Sequence, residues 1–163
     1  MKTIKLWVSL LCVVLILGAC RALQAPTIIK YDSIDGYKYV YITPTSGLTS
    51  GAGEVFNGYG ATTTKSINPS DIIAGELIKR NFIIVPKLEP QLADKTLIVS
   101  YGETDRRYRG LGYTIEVTLQ FVSAKSHEMV CSCTAEGQGE TEADDIRMAI
   151  QRAISGLFRQ RYY

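Results

Sequence analysis

The chain of 163 residues has a single tryptophan, Trp7, a single histidine, His127, and four cysteines. Each scarcity excludes something. One histidine without any C-x-x-C pair leaves a zinc site short of ligands. A G-x-S-x-G nucleophile elbow is absent, so serine chemistry would have to borrow His127. The stretch "GATTTKS" ends in Lys-Ser, but Tyr59 and Thr64 stand where a phosphate-binding loop needs glycine. The acids of "AEGQGETEADD" lack the alternating spacing of a calcium loop and read as helix-start carboxylates. No apolar run reaches the ~20 residues that span a bilayer. Eighteen basic residues nearly balance 16 acidic ones, so the chain has no global field to draw in nucleic acid. No pattern calls for a cofactor or a metal.

What is present begins at the N-terminus. Lys2 and Lys5 precede Leu6 to Leu17, apolar except for Ser9, and then Gly18-Ala19-Cys20. The length suits the apolar core of a secretory signal peptide, with small residues at the cut after Ala19. An uncut membrane anchor is the alternative, and the run is short for it. Leu17-Gly18-Ala19-Cys20 resembles the lipobox of bacterial lipoproteins, with Gly-Ala in place of the commoner Ala-Gly. That resemblance implies acylation of Cys20, palmitate included, and a membrane partner reached through lipid. One acyl chain holds only marginally and stable anchoring takes two signals, a condition that several chains on one cysteine satisfy. Arg21 stands where inner-membrane lipoproteins of the enterobacterial type carry Asp, which implies the outer membrane and its periplasmic face, with surface display left open. Removing residues 1–19 takes Lys2 and Lys5 from the basic side, leaving 16 against 16, and removes Trp7 and Cys12. Residues 20–26 then form a tether, and 27–163 have the length of one domain.

Within the domain, "TIIKYDSIDGYKYVYITP" reads as two strands around a turn at Asp35-Gly36. Residues 45–66 hold five Gly and eight Ser or Thr and read as a long loop, mobile or partner-binding. Asn68-Pro69 opens a helix carrying Ile72, Ile73 and Leu77 on one face. "FIIVP" at 82–86 reads as an interior strand, "KTLIVSYG" as another, and "GETDRRYRGLG" as a turn. Tyr113, Ile115, Val117, Leu119 and Phe121 alternate with polar residues in the clearest strand, and a hairpin through His127 returns to "MVCSCTAEG". Cys131 and Cys133 share one strand face, which favours buried thiols over an i, i+2 disulfide that would strain the backbone. Thr141 and Asp144 form a capping box for a helix with Ile146, Ala149, Ile150, Ala153, Ile154, Leu157 and Phe158 in one stripe. The fold class is α+β: a two-layer sandwich of a mostly antiparallel mixed sheet of five to six strands, with two helices on one face.

"SDIIAGELIKRNFIIVP" followed by "LADKTLIVSYGE" is similar to small periplasmic lipoprotein domains of Bacteroidetes type. It more distantly resembles the N-terminal domain of the Tol propeller protein and the curli-secretion lipoprotein. This resemblance covers about 35 residues and implies envelope assembly or protein contact, with no catalytic residues. Two groups are candidate binding surfaces. Arg106, Arg107 and Arg109 around Tyr108 form a basic stretch able to grip oxyanions or an acidic partner. Tyr37, Tyr39 and Tyr41 share a strand face and either pack beneath a helix or form an exposed patch. The expected function is a non-enzymatic, lipid-anchored envelope protein that binds a protein or envelope component. A subunit of an oligomeric outer-membrane assembly and a small hydrolase using His127 are the alternatives.

Overall fold

The structure is a computed structural model that describes residues 23–52, 63–109 and 112–159. The strands are β1 (Thr27–Lys30), β2 (Tyr39–Ile42), β3 (Leu48–Ala52), β4 (Thr63–Ile67), β5 (Ile83–Ile84), β6 (Thr96–Arg109), β7 (Gly112–Ser123) and β8 (Met129–Gly137). The helices are α1 (Pro69–Ile78) and α2 (Glu142–Arg159), with a 3₁₀ turn at Pro90–Lys95. Six strands form one mixed sheet in the order β1-β8-β7-β6-β2-β5, and β3 and β4 form a separate antiparallel pair. β1, β8, β7 and β6 are each antiparallel to their neighbours, whereas β2 runs parallel to both β6 and β5. The two-layer α+β architecture is the one the patterning implies.

α2 covers the centre of the sheet because its stripe fits the alternation of β7 and β8. Ile146, Ala149, Ile150, Ala153, Ile154 and Leu157 are buried against Ile115, Val117, Leu119 and Phe121 of β7 and Cys131, Cys133 and Ala135 of β8. Gly137 closes this contact: a Cβ there would lie 1.8 Å from the Asp145 carbonyl oxygen and 2.7 Å from the Ala149 nitrogen. Thr141 caps α2, its hydroxyl accepting the Asp144 N–H at 3.2 Å and donating to the Asp144 carboxylate at 2.9 Å. α1 starts at the expected Asn68 cap, whose side chain accepts from the Ser70 N–H. It ends where Asn81 takes φ 67°, a left-handed conformation that asparagine tolerates better than most residues. That reversal sends Phe82 beneath Phe158, with ring centroids 5.9 Å apart.

Three expectations need correction. The stretch 45–66 is not a continuous loop: β3 and β4 pair in register from Leu48 with Ile67 to Ala52 with Thr63, and residues 53–62 lie outside the described residues. "FIIVP" is not an interior strand, since β5 is two residues long at the sheet edge and Ile83 is 45% exposed. β1 and β2 do flank the expected turn at Asp35-Gly36, without pairing, and β8, β7 and β6 lie between them. "GETDRRYR" does not turn the chain but continues β6 as far as Arg109.

Candidate binding surfaces

The far end of the β6–β7 ribbon holds the arginines. A register shift between Glu103 and Asp105 inserts one residue into β6, which exchanges the faces that its later side chains occupy. Arg106 therefore shares the helix-covered face with Glu103. It pairs with Glu103 at 3.1 Å and with Glu142 in the first turn of α2, and its guanidinium lies 5.8 Å from the Tyr113 ring. Hydrogen bonds to Glu103 and Glu142 hold Arg106 charged beyond its ordinary range. Arg107 takes the opposite face and meets Asp105 at 3.1 Å, Glu116 at 3.2 Å and Glu136 at 3.0 Å. Two guanidiniums thus face five carboxylates. The basic loop expected from sequence is a strand end whose Arg106 and Arg107 forks already hold carboxylates. Tyr108 beside them is 90% exposed. Arg109 is the last residue of β6, and its side chain lies outside the described residues.

Next to this end lies a cleft of about 420 Å³ lined by Ser50, Tyr113, Gly139, Glu142 and Asp145. Burial raises the Asp145 carboxyl above its usual range, although the Gly139 N–H donates to it. Desolvation and the neighbouring charge of Glu142 likewise raise the Tyr113 phenol. Of the cleft acids, Glu142 is paired with Arg106 and Asp145 with the Gly139 backbone, and Asp144 behind them holds Lys65 at 2.7 Å. Among the described residues no group of three or more metal-ligating side chains comes together. No helix among them is long and apolar enough to cross a membrane.

The second surface is the sheet face opposite α1 and α2, closed beside Tyr39 by the 3₁₀ turn, where Thr96, 1% exposed, donates to the Leu92 carbonyl at 2.7 Å. Val40 is fully buried toward the helices, so Tyr39 and Tyr41 point the other way and are half-buried. Tyr37 does not join them: it sits in the turn ahead of β2, its N–H donating to the Ile34 carbonyl, and packs against the core. Sequence spacing placed three tyrosines on one face; the strand begins too late for the first. The register adds residues that spacing alone could not. Tyr41 stands beside Ile98, Ile98 beside Val122, and Val122 beside Met129, making one apolar row across four strands. Ile83 flanks Tyr39 at one edge, and Ile29, 47% exposed, lies on β1 at the other. Farther along the strands the face becomes polar. Ser100 and Gln120 meet at 3.5 Å, Thr118 and Thr134 at 2.7 Å, and the Arg107–Glu116–Glu136 group follows.

The two cysteines lie opposite, under α2, as free thiols. Burial pushes the Cys131 thiol up to about 11 and that of Cys133 higher still. His127 is exposed in the β7–β8 turn with φ 60°. Strand order puts that turn at the opposite pole of the sheet from the carboxylate cluster, so the structure does not bring His127 and those acids together.

No protein-family model and no curated protein sequence matches the chain. Among solved structures, the PelC dodecamer from Paraburkholderia phytofirmans is similar at 16% identity, covering 80% of this chain and 96% of that chain, with a TM-score of 0.45. A point variant of that dodecamer is similar at 15% identity over 81% and 96%, also with a TM-score of 0.45.

Proposed function

We propose that the protein is a lipid-anchored, non-enzymatic component of the outer membrane that binds an envelope protein through the sheet face opposite its two α-helices. The anchor follows from Leu17-Gly18-Ala19-Cys20. The observation that carries the binding reading is the row Tyr41–Ile98–Val122–Met129 with Tyr39 and Ile29 beside it. Aromatic and methionine side chains backed by a rigid sheet supply apolar contact at little ordering cost. The threonines and charged groups farther along give such a patch a polar border, the usual anatomy of a protein interface.

The test is site-specific photocrosslinking in intact cells. A photoreactive amino acid at Val122 or Ile98 is expected to form an adduct with one defined envelope protein, whereas the same group at Arg147, exposed on α2, is not. A Val122→Arg chain that remains folded is expected to lose capture. Equal labelling from all three positions, or none from Val122 and Ile98, overturns the reading. Adducts only with a second copy of the chain would make the protein an assembly subunit instead.

A further inference from the structure

The first described residues are clamped onto the domain. Gln24 donates its backbone N–H to the Glu136 carboxylate at 3.0 Å, and Arg152 of α2 donates to the Gln24 carbonyl at 2.6 Å and also to that of Glu136. Pro26 rests on Gly156, where a Cβ would come within 2.8 Å of the proline ring. Glu136 is itself 2% exposed and is held by Arg107. Side chains from β6, β8 and α2 therefore fix the entering chain at Gln24.

That clamp sets how far the domain can stand from a lipid on Cys20. Four Cα–Cα steps separate Cys20 from Gln24, a reach of at most about 14 Å. β1 runs antiparallel to β8, so the chain ahead of it leaves toward the end where β8 finishes and β6 and β7 join. Along β7, Tyr113, the partner of Tyr108, lies three residues beyond Glu116, which stands opposite Glu136. Three residues of strand span about 10 Å. The ribbon end thus extends nearly as far past the clamp as the tether can. A headgroup layer is roughly 5–7 Å deep on each side of the hydrocarbon, so a bilayer holding acyl chains on Cys20 meets the ribbon end. Tyr108 stands there, 90% exposed, and tyrosine joins an apolar ring to a polar tip as side chains at membrane–water boundaries do.

We infer that the clamped tether seats the end of the β6–β7 ribbon on the bilayer, with Tyr108 in the headgroup layer. The strands then stand roughly along the membrane normal and the open sheet face looks sideways. The inference rests on lipidation of Cys20, and its test separates the two.

Because processing removes Trp7, Tyr108→Trp gives mature lipidated protein a single emitter. In phosphatidylethanolamine/phosphatidylglycerol vesicles, brominated acyl chains are expected to quench that emitter severalfold more than one introduced by Lys125→Trp at the opposite pole. Six Gly/Ser residues inserted between Ala22 and Leu23 leave the clamp and the fold untouched; they are expected to cut the quenching at least by half while the protein still sediments with the vesicles. Arg152→Ala, shown folded by circular dichroism, is expected to do the same. Equal quenching at both poles, or quenching indifferent to the insertion, overturns the inference while leaving the anchor intact. Vesicle binding unchanged by Cys20→Ser, with no acyl mass on the parent chain, overturns the anchor and this inference with it.

Discussion

Gly137→Ala is a demanding test of how α2 sits on the sheet. The added methyl carbon would lie 1.8 Å from the Asp145 carbonyl oxygen, 2.7 Å from the Ala149 nitrogen and 2.8 Å from the Asp145 carbonyl carbon. All three are helix backbone, so no rotamer change relieves the contact and the first turns of α2 must lift. Overpacking a tight core typically costs 1–3 kcal/mol, and backbone on the opposing side puts this case near 3. Reduced freedom of the unfolded chain returns about 0.7 kcal/mol, leaving a loss of about 2 kcal/mol. For a domain near 150 residues that lowers the melting temperature by about 7 °C. Two control positions sharpen the comparison. A Cβ at Gly75 in α1 or at Gly102 in β6 meets nothing within 4 Å. Gly75→Ala is expected to raise the melting temperature by about 3 °C, from about 1 kcal/mol of helix propensity. Gly102→Ala is expected to change it by less than about 2 °C, corresponding to the ±0.5 kcal/mol usual at such sites. Thermal melts followed by circular dichroism on the mature domain measure all three. A Gly137→Ala protein melting with the parent would refute the helix placement.

Further outcomes follow from the titrating and reactive groups. Burial raises the Glu76 carboxyl, but hydrogen bonds and charge from Lys79 and Arg80 outweigh it and leave the group below 4.5. The stabilisation is therefore present above pH 4.5 and lost as pH falls through the lower folded value. Glu76→Gln should melt below the parent at pH 7, with the gap closing under strong acid. Asp145 has the opposite sign: its raised carboxyl penalises the folded state once ionised. Asp145→Asn should accordingly keep or raise the melting temperature at pH 7, and a drop of more than about 5 °C would contradict that. Cys131 and Cys133, buried with raised thiols, should react with a thiol reagent at pH 8 only after denaturation. On the proposed cleavage after Ala19, which would discard Trp7, protein purified from membranes should lack tryptophan emission.

The parts of the fold that were legible in sequence are those where burial writes a period. The α2 stripe and the alternation of β7 each face one core, and each was readable residue by residue. β3 and β4 were illegible for a physical reason. Leu48 and Ile67 anchor the pair apolarly at one end, and much of its support is tertiary: Ser50 accepts the Ala143 N–H at 2.9 Å, and Lys65 binds Asp144. "FIIVP" misled because apolar content signals burial but not strand length: Phe82 is buried under Phe158 while Ile83 sits at an exposed edge. The second half of β6 carries acids and arginines where an apolar alternation would mark a strand, because ion pairs satisfy both faces there. Of the candidate surface residues named from sequence, Tyr39 and Tyr41 share a strand face, Tyr37 does not, and Arg106 and Arg107 lie on opposite faces of β6. Ile98, Val122 and Met129 join Tyr41 in one row only through register, and Glu136 meets Gln24 across 112 residues.

β6 pairs with β2 only through Val99, so from Gly102 to Arg109 its outer rim meets no strand among the described residues. A bare rim of that length invites a passing chain to add itself by backbone hydrogen bonding, the first step toward fibrils. Here the inserted residue near Thr104 breaks the flat spacing an incoming strand would need, and Glu103, Asp105, Arg106 and Arg107 make the rim too charged to suit an apolar newcomer. The ribbon can therefore stand proud of the sheet in a crowded compartment without recruiting its neighbours.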